Sequence, residues 1–127
     1  EPVWFGCDVG QSSDRKSGVM DTDLYDMATL VGVDFTMDKR QRIMTRESAA
    51  THAMTLAGVD VIDGKPVRWK VENSWGDENG QKGYFVMTDP WFDEYTFEVV
   101  VNKKYLSEDI ARLYETEPEV LPYYLPF

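Results

Sequence analysis

Five segments of this chain place apolar residues at the two-residue period of a half-buried strand or in the short apolar runs of a buried one. Residues 2–7 (PVWFGC) are apolar, with aromatic and β-branched members, and stop before Gly10 and the polar stretch QSSDRKSG, which predicts a strand and then a loop. From Ser48 the run SAATHAMTLAGVDVID is mostly apolar and ends at Asp63-Gly64, a strong hairpin-turn dipeptide. Val67, Trp69 and Val71 then alternate with Arg68, Lys70 and Glu72, the signature of a returning strand. Residues 77–83 (DENGQKG) are turn-rich, and GYFVMTD and FEVVV (97–101) predict two further strands.

Helical spacing occurs twice. In DTDLYDMATLVG, Asp21, Thr22 and Asp23 offer N-terminal caps, Leu24, Met27, Ala28 and Val31 share a face, and Gly32 stops the helix. Ser107 with Glu108 and Asp109 starts a second short helix, SEDIARLYE, with its acids at the positive end of the helix dipole. Pro118, Pro122 and Pro126 predict an extended tail. Short helices beside a mainly antiparallel sheet or open barrel define an α+β unit over residues 1–127, with no internal repeat.

Composition narrows the function classes. The chain is 127 residues long and 43% hydrophobic, enough for one domain core. A net charge of -10 speaks against nucleic-acid or anionic-membrane partners, since phosphate binding needs clustered Lys and Arg. A single cysteine, Cys7, allows no internal disulfide, which suits a reducing, cytoplasmic setting. Glu1 and Pro2 precede an apolar run without an initiator Met or a basic signal segment, so the expectation is a chain that starts mid-protein or has been processed. Asp21, Asp23 and Asp26 lack the spacing and the glycine of a calcium loop; capping accounts for them and no metal is assigned.

Candidate chemistry rests on His52, the one histidine, and Asn73 in ENSWG. A ladder read outward from the turn at Asp63-Gly64 brings these two positions to neighbouring rungs. An imidazole beside a carboxamide suits catalysis: the amide oxygen accepts the proton of one ring nitrogen, fixing tautomer and orientation, while the other nitrogen faces a nucleophile. With a thiol, the result is a thiolate–imidazolium pair.

THAM (51–54), VENSWG (71–76) and GQKGYF (80–85) resemble the histidine and asparagine blocks of papain-like cysteine peptidases. PVWFGCDVG (2–10), LYD (24–26), ESAATHAMT (47–55) and MTDPWFDEY (87–95) are similar to the bleomycin hydrolase and aminopeptidase C branch of that family. The resemblance covers nearly the whole chain and implies the barrel-like, C-terminal half of a papain fold. It implies His52 as general base and acid, Asn73 as its orienting partner, and Trp75 as the indole that shields their hydrogen bond. It also implies a cytoplasmic aminopeptidase without metal or organic cofactor, acting on peptides and assembled as a hexameric barrel with interior active sites.

The family's nucleophile lies upstream in a glycine-rich block leading into Cys-Trp, and no such block occurs in these residues. Cys7 precedes His52 by only 45 residues, against roughly 130 in papain-like chains, and sits in a strand-like run without a helix N-terminus. It is expected to be a small buried hydrophobe. The family's terminal carboxylate, which captures the substrate's free amine, has no evident counterpart in Leu125-Pro126-Phe127. The chain is therefore expected to supply His52 and Asn73 only, to partner the cysteine-bearing half, and to be inactive alone. The other reading is a non-catalytic assembly or binding domain derived from such a peptidase, with dimerisation through apolar surface that the missing half would cover.

Overall fold

A computed structural model describes residues 1–34, 36–120 and 122. Its elements in chain order are β1 (Val3–Cys7), β2 (Ser13–Asp14), β3 (Val19–Met20), α1 (Met27–Val31), α2 (Lys39–Thr45), β4 (His52–Ile62), β5 (Lys65–Glu72), β6 (Tyr84–Thr88), α3 (Asp89–Tyr95), β7 (Thr96–Val100), a 3-10 turn at Lys103–Tyr105, and α4 (Glu108–Leu113). The expected α+β class holds. The strands form one sheet in the order β2-β3-β6-β5-β4-β1-β7, antiparallel except for the short parallel pair β3 and β6.

The hairpin turns where the sequence places it. Asp63 and Gly64 both have positive φ, 51° and 78°, the type I′ geometry whose twist matches flanking strands. The β4–β5 ladder runs from Ile62 opposite Lys65 to Thr55 opposite Glu72, with two irregularities between that restore the starting register. On its other edge β4 pairs with β1, from Leu56 opposite Val3 to His52 opposite Cys7.

Alternation sets the buried face. Phe5 and Cys7 of β1, Met54 of β4, Val71 of β5, and Phe85 and Met87 of β6 meet Met20 and the fully buried Trp91 of α3. Burying each large side chain contributes about 1.5–3 kcal/mol. His52 stands two residues before Met54 and shares its face, at the end of the core.

Four local readings need correction. The segment Gln11–Gly18, expected as loop, contains β2, and β3 follows it. The first helix begins at Met27, because Asp26 rather than Asp21 or Asp23 is its N-cap: the Asp26 carboxylate accepts the Thr29 N–H at 2.9 Å. Asp21 instead closes a turn onto the Asp23 N–H, and Leu24 lies outside the helix. Two helices went unpredicted. Asp38 and Gln41 form the reciprocal capping box of α2, and Pro90 sits in the first turn of α3, where its missing N–H costs nothing. Arg42 of α2 pairs with Glu94 of α3, and the Lys39 ammonium donates to the Asp93 carbonyl at 2.7 Å, fixing one helix against the other. Burial holds the Lys39 amine below its usual pKa. The expected proline tail falls partly on residues 121 and 123–127, outside the described residues; residues 117–120 carry no regular element.

Candidate active site

β4 presents His52 from its first residue, and Asn73 stands immediately after the last residue of β5. The ladder has ended there, which frees both side chains to turn toward one another: His52 Nε2 lies 2.8 Å from Asn73 Oδ1. The backbone N–H of Ser74 donates to the same oxygen at 2.8 Å, and since a backbone N–H can only donate, this contact identifies the oxygen end of the amide. Nε2 therefore carries the proton in the neutral ring, and Nδ1 keeps its lone pair. Among the described residues Nδ1 makes no hydrogen bond.

Asn73 is held as well as aimed. Its backbone N–H donates to the Gly83 carbonyl at 3.0 Å, its residue exposure is only 9%, and its Nδ2 has no partner among the described residues. The Trp75 ring centre lies 4.8 Å from the imidazole, tilted by 31°, and meets Phe85 edge-on at 5.9 Å. The half-buried Trp75 indole thus packs beside the half-buried imidazole. The three residues expected to form the site are thus brought together.

Cys7 is brought near His52 in backbone register but not in chemistry. It is completely buried, and its thiol is pushed up to about 12, first by burial and then by the neighbouring Asp8 charge. A thiol so protected cannot supply a thiolate at neutral pH.

Two residues that the sequence pattern did not single out support the site. Asp8, almost fully buried, accepts from Ser48 Oγ at 2.8 Å, Gln11 Nε2 at 3.2 Å and Thr51 Oγ1 at 3.3 Å. Its carboxylate ties the segment leading into His52 to the end of β1, and a carboxylate directly after a buried strand was the available signal. Arg15 places its guanidinium carbon 4.6 Å from the Trp75 ring centre. Nothing in the sequence links positions 15 and 75. Among the described residues no group of His, Cys, Asp and Glu is arranged to hold a metal ion, and no helix is long and apolar enough to cross a membrane.

The sequence profile of the Peptidase C1-like family matches residues 1–127. Aminopeptidase C of Streptococcus thermophilus is 52% identical over 122 residues, which cover 95% of this chain and 27% of that protein. Aminopeptidase C of Lactococcus lactis subsp. cremoris is 53% identical over 122 residues, 95% of this chain and 28% of the relative. The crystal structure of PepW from Lactobacillus rhamnosis HN001 superposes with a TM-score of 0.91 at 52% identity, covering 99% of this chain and 29% of that one. The chain therefore spans under a third of the length of these relatives.

Proposed function

Because this chain belongs to the Peptidase C1-like family, we propose that it supplies the histidine and asparagine half of a cysteine aminopeptidase active site. The observation that carries the reading is the 2.8 Å contact from His52 Nε2 to Asn73 Oδ1, which leaves Nδ1 as the basic nitrogen. The thiol comes from residues outside this chain, since Cys7 is buried and held neutral.

In that reaction Nδ1 of His52 takes the proton of the incoming thiol, and the thiolate attacks the carbonyl carbon of the N-terminal peptide bond. His52, now an imidazolium stabilised by Asn73, returns the proton to the leaving amine as the C–N bond breaks, leaving a thioester. Water, giving its proton to His52, attacks the thioester carbonyl; the C–S bond breaks, the acid is released and the thiol is restored. Neither a metal nor an organic cofactor is required by these steps.

Peptides with a free N-terminus are the substrate class, a reading supported by the relatives named aminopeptidase C. The motif resemblance to the bleomycin hydrolase and aminopeptidase C branch supports a cytoplasmic homo-oligomer, a hexamer in that branch, with residues 1–127 as the C-terminal portion beside a cysteine-bearing N-terminal half. The test is co-expression of the two portions and assay on an aminoacyl amide. Turnover that disappears in His52→Ala is the expected result; full turnover in that variant overturns the proposal.

A further inference from the structure

The loop joining β2 to β3 takes no part in the steps above, yet it is built against the segment that carries Trp75. The Gly80 N–H donates to the Lys16 carbonyl at 3.2 Å, and the Val86 N–H donates to the Gly18 carbonyl at 2.8 Å. Gly18 and Gly80 touch backbone to backbone: a Cβ on Gly18 would stand 2.6 Å from the Gly80 Cα. Asp14 closes the loop by accepting the Lys16 N–H at 2.8 Å.

From this seat Arg15 reaches Trp75 twice. Its guanidinium carbon lies 4.6 Å from the indole centre. Its Nε–H donates to Asn79 Oδ1 at 2.8 Å, and Asn79 Nδ2 donates to the Trp75 carbonyl at 2.7 Å. Ring and backbone of the same residue are therefore held by one exposed cation and the amide it orients. The same ring also neighbours the His52 imidazole, 4.8 Å away, and meets Phe85 edge-on at 5.9 Å.

We propose that Arg15 is a positioning residue for the His52–Asn73 pair, holding the Trp75 indole over their hydrogen bond. The inference rests on the cysteine peptidase reading of that pair. Without the guanidinium the indole gains freedom and water competes for Asn73 Oδ1 and for the Nε2 proton. The tautomer that frees Nδ1 is then less populated. The effect falls on proton transfer rather than on substrate binding, so kcat and not KM carries it.

Arg15 is exposed, so Arg15→Met removes the cation and the donor to Asn79 without opening the core. In the complete enzyme, Arg15→Met is expected to lower kcat about five-fold and to leave KM within about two-fold. Arg15→Lys, which keeps a cation on the ring, recovers part of the loss. In a Trp75→Ala background Arg15→Met costs nothing further, because the group it acts through is gone. A parental kcat in Arg15→Met, a loss confined to KM, or an equal loss in the Trp75→Ala background overturns the proposal. His52→Ala in the same assay separates the two readings: its inactivity beside an unaffected Arg15→Met rejects only the Arg15 role, whereas its full activity rejects both.

Discussion

Cys7 and His52 face each other across β1 and β4, and their surroundings assign them opposite chemistry. The thiol is completely buried beside the Asp8 carboxylate, and is pushed from 9.0 to about 12. In the unfolded chain it ionises near 9.0, so between these values the unfolded state binds fewer protons and stability falls as pH rises. Thermal melts across pH 8 to about 11 should therefore show a steeper alkaline loss in the parent than in Cys7→Ala; equal slopes would contradict the buried neutral thiol. Asn73 has the converse task, since its oxygen must accept from both Nε2 and the Ser74 N–H. Asn73→Ala in the complete enzyme is expected to lower kcat by about ten-fold or more, measured against unchanged enzyme concentration by active-site titration. His52 and Asn73 were legible as neighbours because a turn signal and a strand period fix which residues meet, whereas Trp75 was implied only by the resemblance of VENSWG to papain-like peptidases. Asp8 and Arg15 were not, since each acts through contacts more than 35 residues apart in sequence that no periodicity encodes.

Among the elements, the β4–β5 hairpin was readable to its turn, whereas α2 and α3 were not. α2 buries no residue, so it leaves no apolar stripe to detect, and only its Asp38–Gln41 capping box marks it. α3 packs Trp91, Phe92 and Tyr95 into seven residues between two strands, too short a span to separate a helical period from a strand run. Glycines distinguish a turn that needs only backbone freedom from a close approach that needs space. Gly64, at φ 78°, has open room where a methyl group would stand, so Gly64→Ala should cost about 1 kcal/mol. At Gly80 a Cβ would meet the Tyr84 carbonyl at 2.4 Å as well as strain φ, so Gly80→Ala should cost more, about 2–3 kcal/mol. Urea denaturation of both variants gives the ranking, and an equal cost would show that the loop under Trp75 yields more easily than its contacts imply.

At the scale of the whole molecule, one open sheet carries a compact core on one face while several large apolar side chains remain in solvent, among them Val61, Ile62, Val99 and Val100. The chain spans under a third of the relatives it matches, and the proposed reaction needs a thiolate that Cys7 cannot provide. The 127-residue chain alone should therefore hydrolyse no aminoacyl amide, and turnover by it that vanishes in Cys7→Ala would contradict the assignment of the nucleophile to another segment. The α+β class was legible because strand periods and turn dipeptides dominate the sequence; the sheet order was not, since the pairing of β3 with β6 and of β1 with β7 joins segments more than 60 residues apart. The most direct measurement is nitrogen NMR of the imidazole, because His52 is the chain's only histidine. At a pH where the ring is neutral, the expected result is a proton on Nε2, a bare Nδ1, and loss of that preference in Asn73→Ala; a proton on Nδ1, or a tautomer unchanged by Asn73→Ala, overturns the assignment of Asn73 as the partner that orients His52.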